Sequence, residues 1–298
     1  MISVRLTKRM HAGEVETNVE LVRRLVSAQF PEWAGLTIMA VPSSGTVNAL
    51  YRLGTSMVAR LPRTAWAGDS FGRQARWLPV IATSVSVQVP VPLAGGAPAF
   101  GYPYAWAVYS WLPGDPAIAG SAPDEPAMAR DLARFVSALR RVDTADAPPQ
   151  RRGDLRARWD GPVRAALAEL RADIDIAAAE AAWDEALAAR AWPGPPQWVH
   201  GDLMPANLLT AGGRLTAVID WEAAGVGDPA VDLAVAWNTL GPEGRTVFRR
   251  SLEIDEETWT RGRGWALCTG LVALPYYRET NPELATNAKF RIAQVLAG

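Results

Sequence analysis

The chain is poor in residues that several common chemistries need. Among 298 residues there is one cysteine, Cys268, which excludes an internal disulfide and fits a reducing compartment. Only two lysines occur, Lys8 and Lys289, so any cation working inside the chain is an arginine. Net charge is nearly absent as well. Thirty Lys and Arg against 31 Asp and Glu leave −1, which calls for neither a nucleic acid nor an anionic membrane surface. No apolar run reaches the roughly 18 residues of a spanning helix. The opening "MISVRLTKRMHAGEVE" contains no apolar signal core. The expectation is a cytoplasmic protein that binds no nucleic acid and no membrane. Its oligomeric state has no signature here.

What is present is an apolar fraction of 49%, enough for a full core in one large domain or two lobes. Periodicity predicts a helix over Glu16–Phe30, with Leu21, Val22, Leu25 and Val26 on one face. Period-2 stretches follow at Leu36–Pro42, Ala49–Gly54 and Ser56–Pro62, then a helix over Asp69–Ala82 with Pro79 as a possible kink. "VSVQVPVPLAG" and "YAWAVYSWLPG" complete about five strands before Leu112. After the proline-glycine segment "LPGDP" the pattern turns helical. Pro123–Val142 is predicted as a helix capped by Asp124, two alanine-rich helices follow, and several more come after Asp228. The fold class is therefore α+β, with a small strand-rich lobe over residues 1–112 and a larger helical lobe over 113–298.

One stretch spends polar residues where the pattern asks for buried strands: "VHGDLMPANLLTAGGRLTAVIDWE", Val199 to Glu222. Asp202 and Asn207 stand five apart across a loop containing Pro205. Asp220 closes the apolar strand "LTAVI", and the turn-like "AGGR" lets the two strands fold back and bring Asp220 near Asn207. Taken singly, each has a plain structural reading: Asp202 caps a helix, His200 is a satisfied core histidine, Asn207 is a turn residue. Taken together they supply oxygen ligands for a hard cation such as Mg²⁺, plus a carboxylate free to face a substrate hydroxyl. Protein kinases place a catalytic aspartate and a metal-binding asparagine at the same five-residue spacing.

"VHGDLMPANLL", "VIDWE" and "GDPAVDLA" together resemble the signature of the aminoglycoside phosphotransferase family, a branch of the protein-kinase-like fold. The likeness runs from about residue 36 to residue 240. It implies a two-lobed enzyme with a small antiparallel-sheet N-terminal lobe, Asp202 as catalytic aspartate, and Asn207 and Asp220 holding Mg²⁺. Asp232 is implied to brace the catalytic loop. The donor would be ATP or GTP. Gly45, in the loop "SSGTVN", either belongs to an ordinary hairpin or lets backbone amides approach phosphate, and the family's likeness favours the latter. The family's phosphate-binding cation aligns with Arg60, an arginine where many kinases carry lysine. Its usual glutamate partner aligns with Gln74. The hinge residues Tyr109, Ser110, Trp111 and Leu112 are expected to read the base edge through their main chain. The resemblance makes antibiotic O-phosphorylation the leading function, aminoglycosides ahead of macrolides. The alternatives are a metabolic kinase acting on a sugar, amino alcohol or amino acid, and an inactive nucleotide-binding scaffold. From Glu222 onward ten acids stand against eight basic residues, which shows no acidic cluster for a polycation.

Overall fold

The computed structural model describes residues 13–42, 47–65 and 70–298. Gly45, Asp69 and the first 12 residues lie outside them. Contacts divide the chain into two compact units: Met1–Leu78, Pro90–Leu112 and Tyr277–Pro282 form one, and Pro79–Val89, Pro113–Tyr276 and Glu283–Gly298 the other.

In the first unit, helix α1 (Val19–Gln29) begins at Asn18, whose side-chain oxygen accepts the Leu21 amide at 2.8 Å. Its buried stripe is Val22, Leu25 and Val26. Five strands follow: β1 (Ile38–Val41), β2 (Asn48–Leu53), β3 (Met57–Pro62), β4 (Pro92–Gly96) and β5 (Trp106–Ser110). They form one antiparallel sheet in the order β1-β2-β3-β5-β4. The β2–β3 turn passes through Gly54 at φ +56°, where a Cβ would sit 3.3 Å from the Leu36 side chain. Leu25, Leu53, Leu61, Trp106 and Val108 pack into the core beneath the sheet. Helix α2 (Phe71–Ala82) contains Pro79.

The strand expected over "VSVQVPVPLAG" forms in its second part, as β4 from Pro92, and not in its first. Apart from an isolated bridge, Val85–Val89 forms no strand of the five-stranded sheet. Instead, the Gln88 amide donates to Thr216 O at 2.8 Å, and the Val218 amide donates to Gln88 O at 3.0 Å. Alternation alone does not say which sheet edge a segment joins, and here only the part from Pro92 onward pairs with β5.

The second unit is mostly helical. It contains the short β6 (Asp115–Pro116), then α3 (Glu125–Leu139), α4 (Leu155–Glu169) and α5 (Ile176–Ala188). Asp124, Asp154 and Asp175 cap these three helices, accepting backbone amides at 2.9, 2.7 and 3.0 Å. The α3 face buries Leu132, Phe135, Val136 and Leu139, each worth about 1.5–3 kcal/mol of apolar transfer. Then come β7 (Gln197–Val199), β8 (Leu208–Ala211), β9 (Arg214–Val218), β10 (Gly225–Gly227) and the helices α6 (Val235–Asn238), α7 (Pro242–Leu252), α8 (Glu256–Tyr277) and α9 (Pro282–Leu296). Strands β6, β8 and β9 form one small sheet, and β7 with β10 another. Arg214 on β9 forks onto Asp131 of α3, with both bonds 2.6 Å, and ties the hairpin to that helix. Among the described residues no helix is long and apolar enough to cross a membrane.

Candidate active site

The loop leaving β7 is built around a buried carboxylate. Asp232 is 1% exposed, and its two oxygens accept the amides of His200 and Gly201, each at 2.8 Å. Burial pushes the Asp232 carboxyl upward, against the pull of His200, those two amides and Arg140. His200 is fully buried, and burial pushes its imidazole down, which keeps it neutral. Its Nδ1 accepts the Asp202 amide at 3.2 Å, so Nε2 carries the proton and donates to Ile219 O at 3.0 Å. Gly201, between them, has φ +79°, and a Cβ there would lie 3.0 Å from Ala223 O. That approach needs glycine.

These bonds turn Asp202 outward while its neighbours stay buried. The next turn, Pro205–Asn207, returns Asn207 to it. Asn207 Nδ2 donates to Asp202 O at 2.9 Å and lies 3.4 Å from Asp202 Oδ2. The β8–β9 ladder pairs Leu208 with Val218, and one step further the Ile219 amide donates to Asn207 O at 2.9 Å. Asp220 follows immediately, in the left-handed region at φ 65°, ψ 65°. A non-glycine residue held there costs on the order of 1–3 kcal/mol and marks functional sites more often than plain turns. Trp221 anchors that turn: it is 1% exposed, donates Nε1 to Val218 O at 2.9 Å, and meets His200 and Phe135 edge-on. Asp202, Asn207 and Asp220 therefore converge within one unit.

This donor set fits a hard divalent cation. Asn207 commits its amide nitrogen to Asp202, which leaves its amide oxygen as the atom that could take a cation. Among the described residues no cluster of three or more His, Cys, Asp or Glu side chains is placed to hold a metal. Two side-chain oxygens with the remaining positions left to phosphate and water is the coordination magnesium favours.

Several residues that shape the loop carry no mark in the sequence. Arg152 donates from its terminal nitrogen to Asp202 Oδ1 and from Nε to Gly201 O at 2.7 Å. It stands in the polar "QRRGD" segment, 50 residues upstream. Asn238 holds Leu203 O at 2.7 Å, and Arg140 donates to Pro229 O at 3.0 Å, in the field of Asp232 and Asp228. Asp228 caps its own turn and is forked by Arg261 at 2.7 and 3.2 Å. A cavity of about 20 Å³ opens beside Asp202, with Arg152, Leu203, Val231, Trp265 and Arg291 in its walls. A roomier one, about 600 Å³, runs along α7 and the start of α8 past Arg245, Arg249 and Trp259. None of the loop residues reaches it.

The remaining sequence candidates lie in the first unit. Arg60 sits mid-strand on β3, opposite Leu50 and Ala107, its guanidinium 5.5 Å from the centre of the Tyr109 ring. Tyr109 is 2% exposed and meets Phe71 of α2 edge-on. Gln74 is buried on α2, but the expected bond to Arg60 is not made. Its Nε2 donates to Ser70 Oγ at 2.9 Å and its Oε1 has no hydrogen-bond partner. An amide four residues from a serine on the same helix finds that local partner first. In the hinge, the Ser110 amide donates to Val91 O at 2.9 Å and the Trp111 amide to Ser56 O at 2.7 Å. Both donors are used within the sheet, so Leu112 is the first hinge residue beyond it. Trp111 also stacks under Arg52, 4.1 Å from its ring centre.

The phosphotransferase enzyme family APH matches residues 39–266. A viomycin phosphotransferase of Streptomyces vinaceus is 31% identical over 205 residues, covering 64% of this chain and 70% of that one. The uncharacterized protein YcbJ of Bacillus subtilis (strain 168) is 41% identical over 76 residues, which span 25% of this chain and only 23% of that relative. Among solved structures, a GDP and kanamycin complex of the aminoglycoside phosphotransferase APH(2")-IIIa superposes with a TM-score of 0.68 at 17% identity, covering 93% of this chain and 98% of that one. That likeness extends to the mixed α+β, kinase-like fold. On the match across residues 39–266, the chain belongs to the phosphotransferase enzyme family APH.

Proposed function

We propose that this protein moves the γ-phosphoryl group of ATP or GTP to a hydroxyl of a small molecule, with Asp202 accepting the hydroxyl proton. The acceptor oxygen forms its bond to γ-phosphorus as the bond to the β-bridging oxygen breaks, and that electron pair leaves on the nucleoside diphosphate. The observation that carries this reading is the bridging role of Asn207: its side chain binds Asp202 O while its own carbonyl receives the amide of Ile219, next to Asp220. One residue thereby fixes a candidate base against candidate metal ligands, as phosphoryl transfer requires. A magnesium ion held by Asn207 and Asp220 would neutralise charge on the transferring group. Arg60, with Gly45 and the hinge from Tyr109 to Leu112, is our assignment for the nucleotide. In Arg60 the bidentate fork takes over from the usual lysine.

For the acceptor class we propose an antibiotic, aminoglycosides before macrolides, on the strength of the relatives' names. A second reading, a metabolic kinase of a small hydroxy compound, is favoured by one specific observation: the cavity beside Asp202 is lined by two guanidinium groups and by no second carboxylate. The deciding experiment is magnesium-dependent release of ADP or GDP over a panel of kanamycin, viomycin, erythromycin, sugars, amino alcohols and hydroxy acids. Release with an antibiotic and not with metabolites establishes the first reading. No release with any of them, and no basal hydrolysis, would leave only an inactive scaffold.

A further inference from the structure

The buried arginines of the helical unit are not alike. Arg261 is forked onto the carboxylate of Asp228, and Arg140 lies in the field of Asp232 and Asp228. Arg291 on α9 has no such partner. It is 7% exposed, and its terminal nitrogens donate only to neutral oxygens, Thr269 Oγ1 and Asn287 Oδ1, both at 2.6 Å. Its Nε is buried with no hydrogen-bond partner, as are those of Arg140 and Arg245, but of these three only Arg291 lines the cavity beside Asp202. The acid whose field it feels is Asp202, and that carboxylate already receives Arg152. The cavity that Asp202 shares with these two arginines thus holds two positive charges against one negative.

A buried guanidinium with no counter-ion is costly, since desolvation is not repaid by pairing. Burial pushes Arg291 down to about 10, so it is still charged at neutral pH. Its orientation is also fixed from behind. Thr269 Oγ1 donates to Trp265 O at 2.9 Å, and Asn287 Nδ2 donates to Asn238 O at 3.1 Å. Leu203, Val231, Ala234 and Trp265 add apolar wall, beside Asn238 and Thr269. Such walls strengthen any ion pair made among them. A charge held in place next to the candidate base, with an unused donor, is a receptor for an anion.

We propose that Arg291 and Arg152 are the anion-binding half of the acceptor site, and that the acceptor is a small hydroxy-carboxylate whose hydroxyl faces Asp202. This rests on the phosphotransfer reading and deepens its second form, a kinase of a small hydroxy compound, against the antibiotic acceptor that the relatives' names suggest. The enclosed space, about 20 Å³, holds about one water, so an acceptor places there no more than one carboxylate oxygen. The bulk of the acceptor stays in the mouth. Arg152 occupies Asp202 Oδ1, one of the two oxygens that receive the acceptor proton. An arriving carboxylate draws Arg152 to itself and frees that oxygen, so the correct acceptor unmasks its own base. A polycation entering that cavity meets the opposite: two like charges and, in its walls, no carboxylate but Asp202.

The test separates binding from turnover. Thermal midpoints are measured at constant ionic strength with glycolate, L-serine and L-homoserine, each against its own carboxamide. Saturation at about ten times Kd should raise the midpoint by roughly 3–6 °C with at least one carboxylate and not with its amide. Arg291→Gln and the more exposed Arg152→Gln should each erase that difference, and a circular-dichroism check confirms that the variants fold. If no carboxylate outdoes its amide, or the difference survives in both variants, the proposal is overturned. ADP or GDP release is scored in parallel. Release with kanamycin at a KM indifferent to Arg291→Gln keeps the phosphotransfer reading and removes the anion site. Carboxylate binding without release from either nucleotide keeps the anion site and removes the phosphotransfer reading.

Discussion

Replacing Asp232 by asparagine tests whether the catalytic loop is held from below. The change preserves shape and volume, so no cavity forms. What it removes is one acceptor: Asp232 offers an oxygen to each of the His200 and Gly201 amides, whereas asparagine offers one oxygen and one NH₂. One amide is then left facing a donor inside a site 1% exposed. An unsatisfied buried donor costs about 1–3 kcal/mol, and the surviving bond weakens by about 1 kcal/mol when its acceptor loses charge. At about 2–4 °C per kcal/mol, the total of roughly 2–4 kcal/mol lowers the midpoint by some 4–16 °C. Catalysis suffers separately, because a shift of about 1 Å in a loop of this kind can cost 10²-fold. The assay is a thermal melt beside basal magnesium-nucleotide hydrolysis, with kcat and nucleotide KM reported apart. Loss should fall on kcat. A variant melting within 1 °C of the parent at full kcat would mean that Asp232 is a neutral acid already doing what asparagine does, and the bracing argument would fail.

Three further outcomes are expected. Asp202→Asn should lose about 10²–10⁴-fold in turnover while a fluorescent nucleotide still binds, and near-normal kcat would remove it as base. Asp220→Ala should shift the magnesium dependence of turnover to higher concentration, and Asn207→Ala less so, because water substitutes more readily for a neutral amide; an unshifted titration in Asp220→Ala would take it out of the metal site. Asp131 gives a pH test: burial alone would raise its carboxyl, but the bonds from Arg214 and Arg134 outweigh that and hold it below the usual range. Its stabilisation is therefore complete above the unfolded value of about 4 and is lost as pH falls through the lower folded value. Urea midpoints of the parent and Asp131→Asn should differ at neutral pH and converge in acid. A constant gap would refute the pairing.

The parts of this site that could be read from the sequence are the local ones. Asp202, Asn207 and Asp220 lie on one loop and one hairpin, where strand period and a turn fix which residues meet. Their convergence follows from the β8–β9 register. Arg152 and Arg291 could not be found that way. They stand 50 residues before and 89 residues after Asp202, in a polar loop and on a helix where an arginine ordinarily reads as a solvated charge. Only tertiary packing turns them inward. Gln74 shows the reverse failure: alignment to a family position supplied a partner, but a serine one turn away supplied a nearer one. The strand expected over "VSVQVPVPLAG" formed only from Pro92 for a third reason, since alternation at Val85–Val89 marks an extended segment without naming its neighbour.

That segment has a consequence for taking the protein apart. The chain passes between the two units at Leu78, Val89, Leu112, Tyr276 and Pro282, so neither is a continuous length of polypeptide. A fragment ending at Leu112 would carry Gln88 without the β9 backbone it is bonded to on both sides, and a fragment starting at Pro113 would leave that edge of β9 bare. Cutting at the obvious hinge therefore injures both halves. Unfolding should be shared between them in one transition, and the gene tolerates a split less readily than its two-part outline suggests.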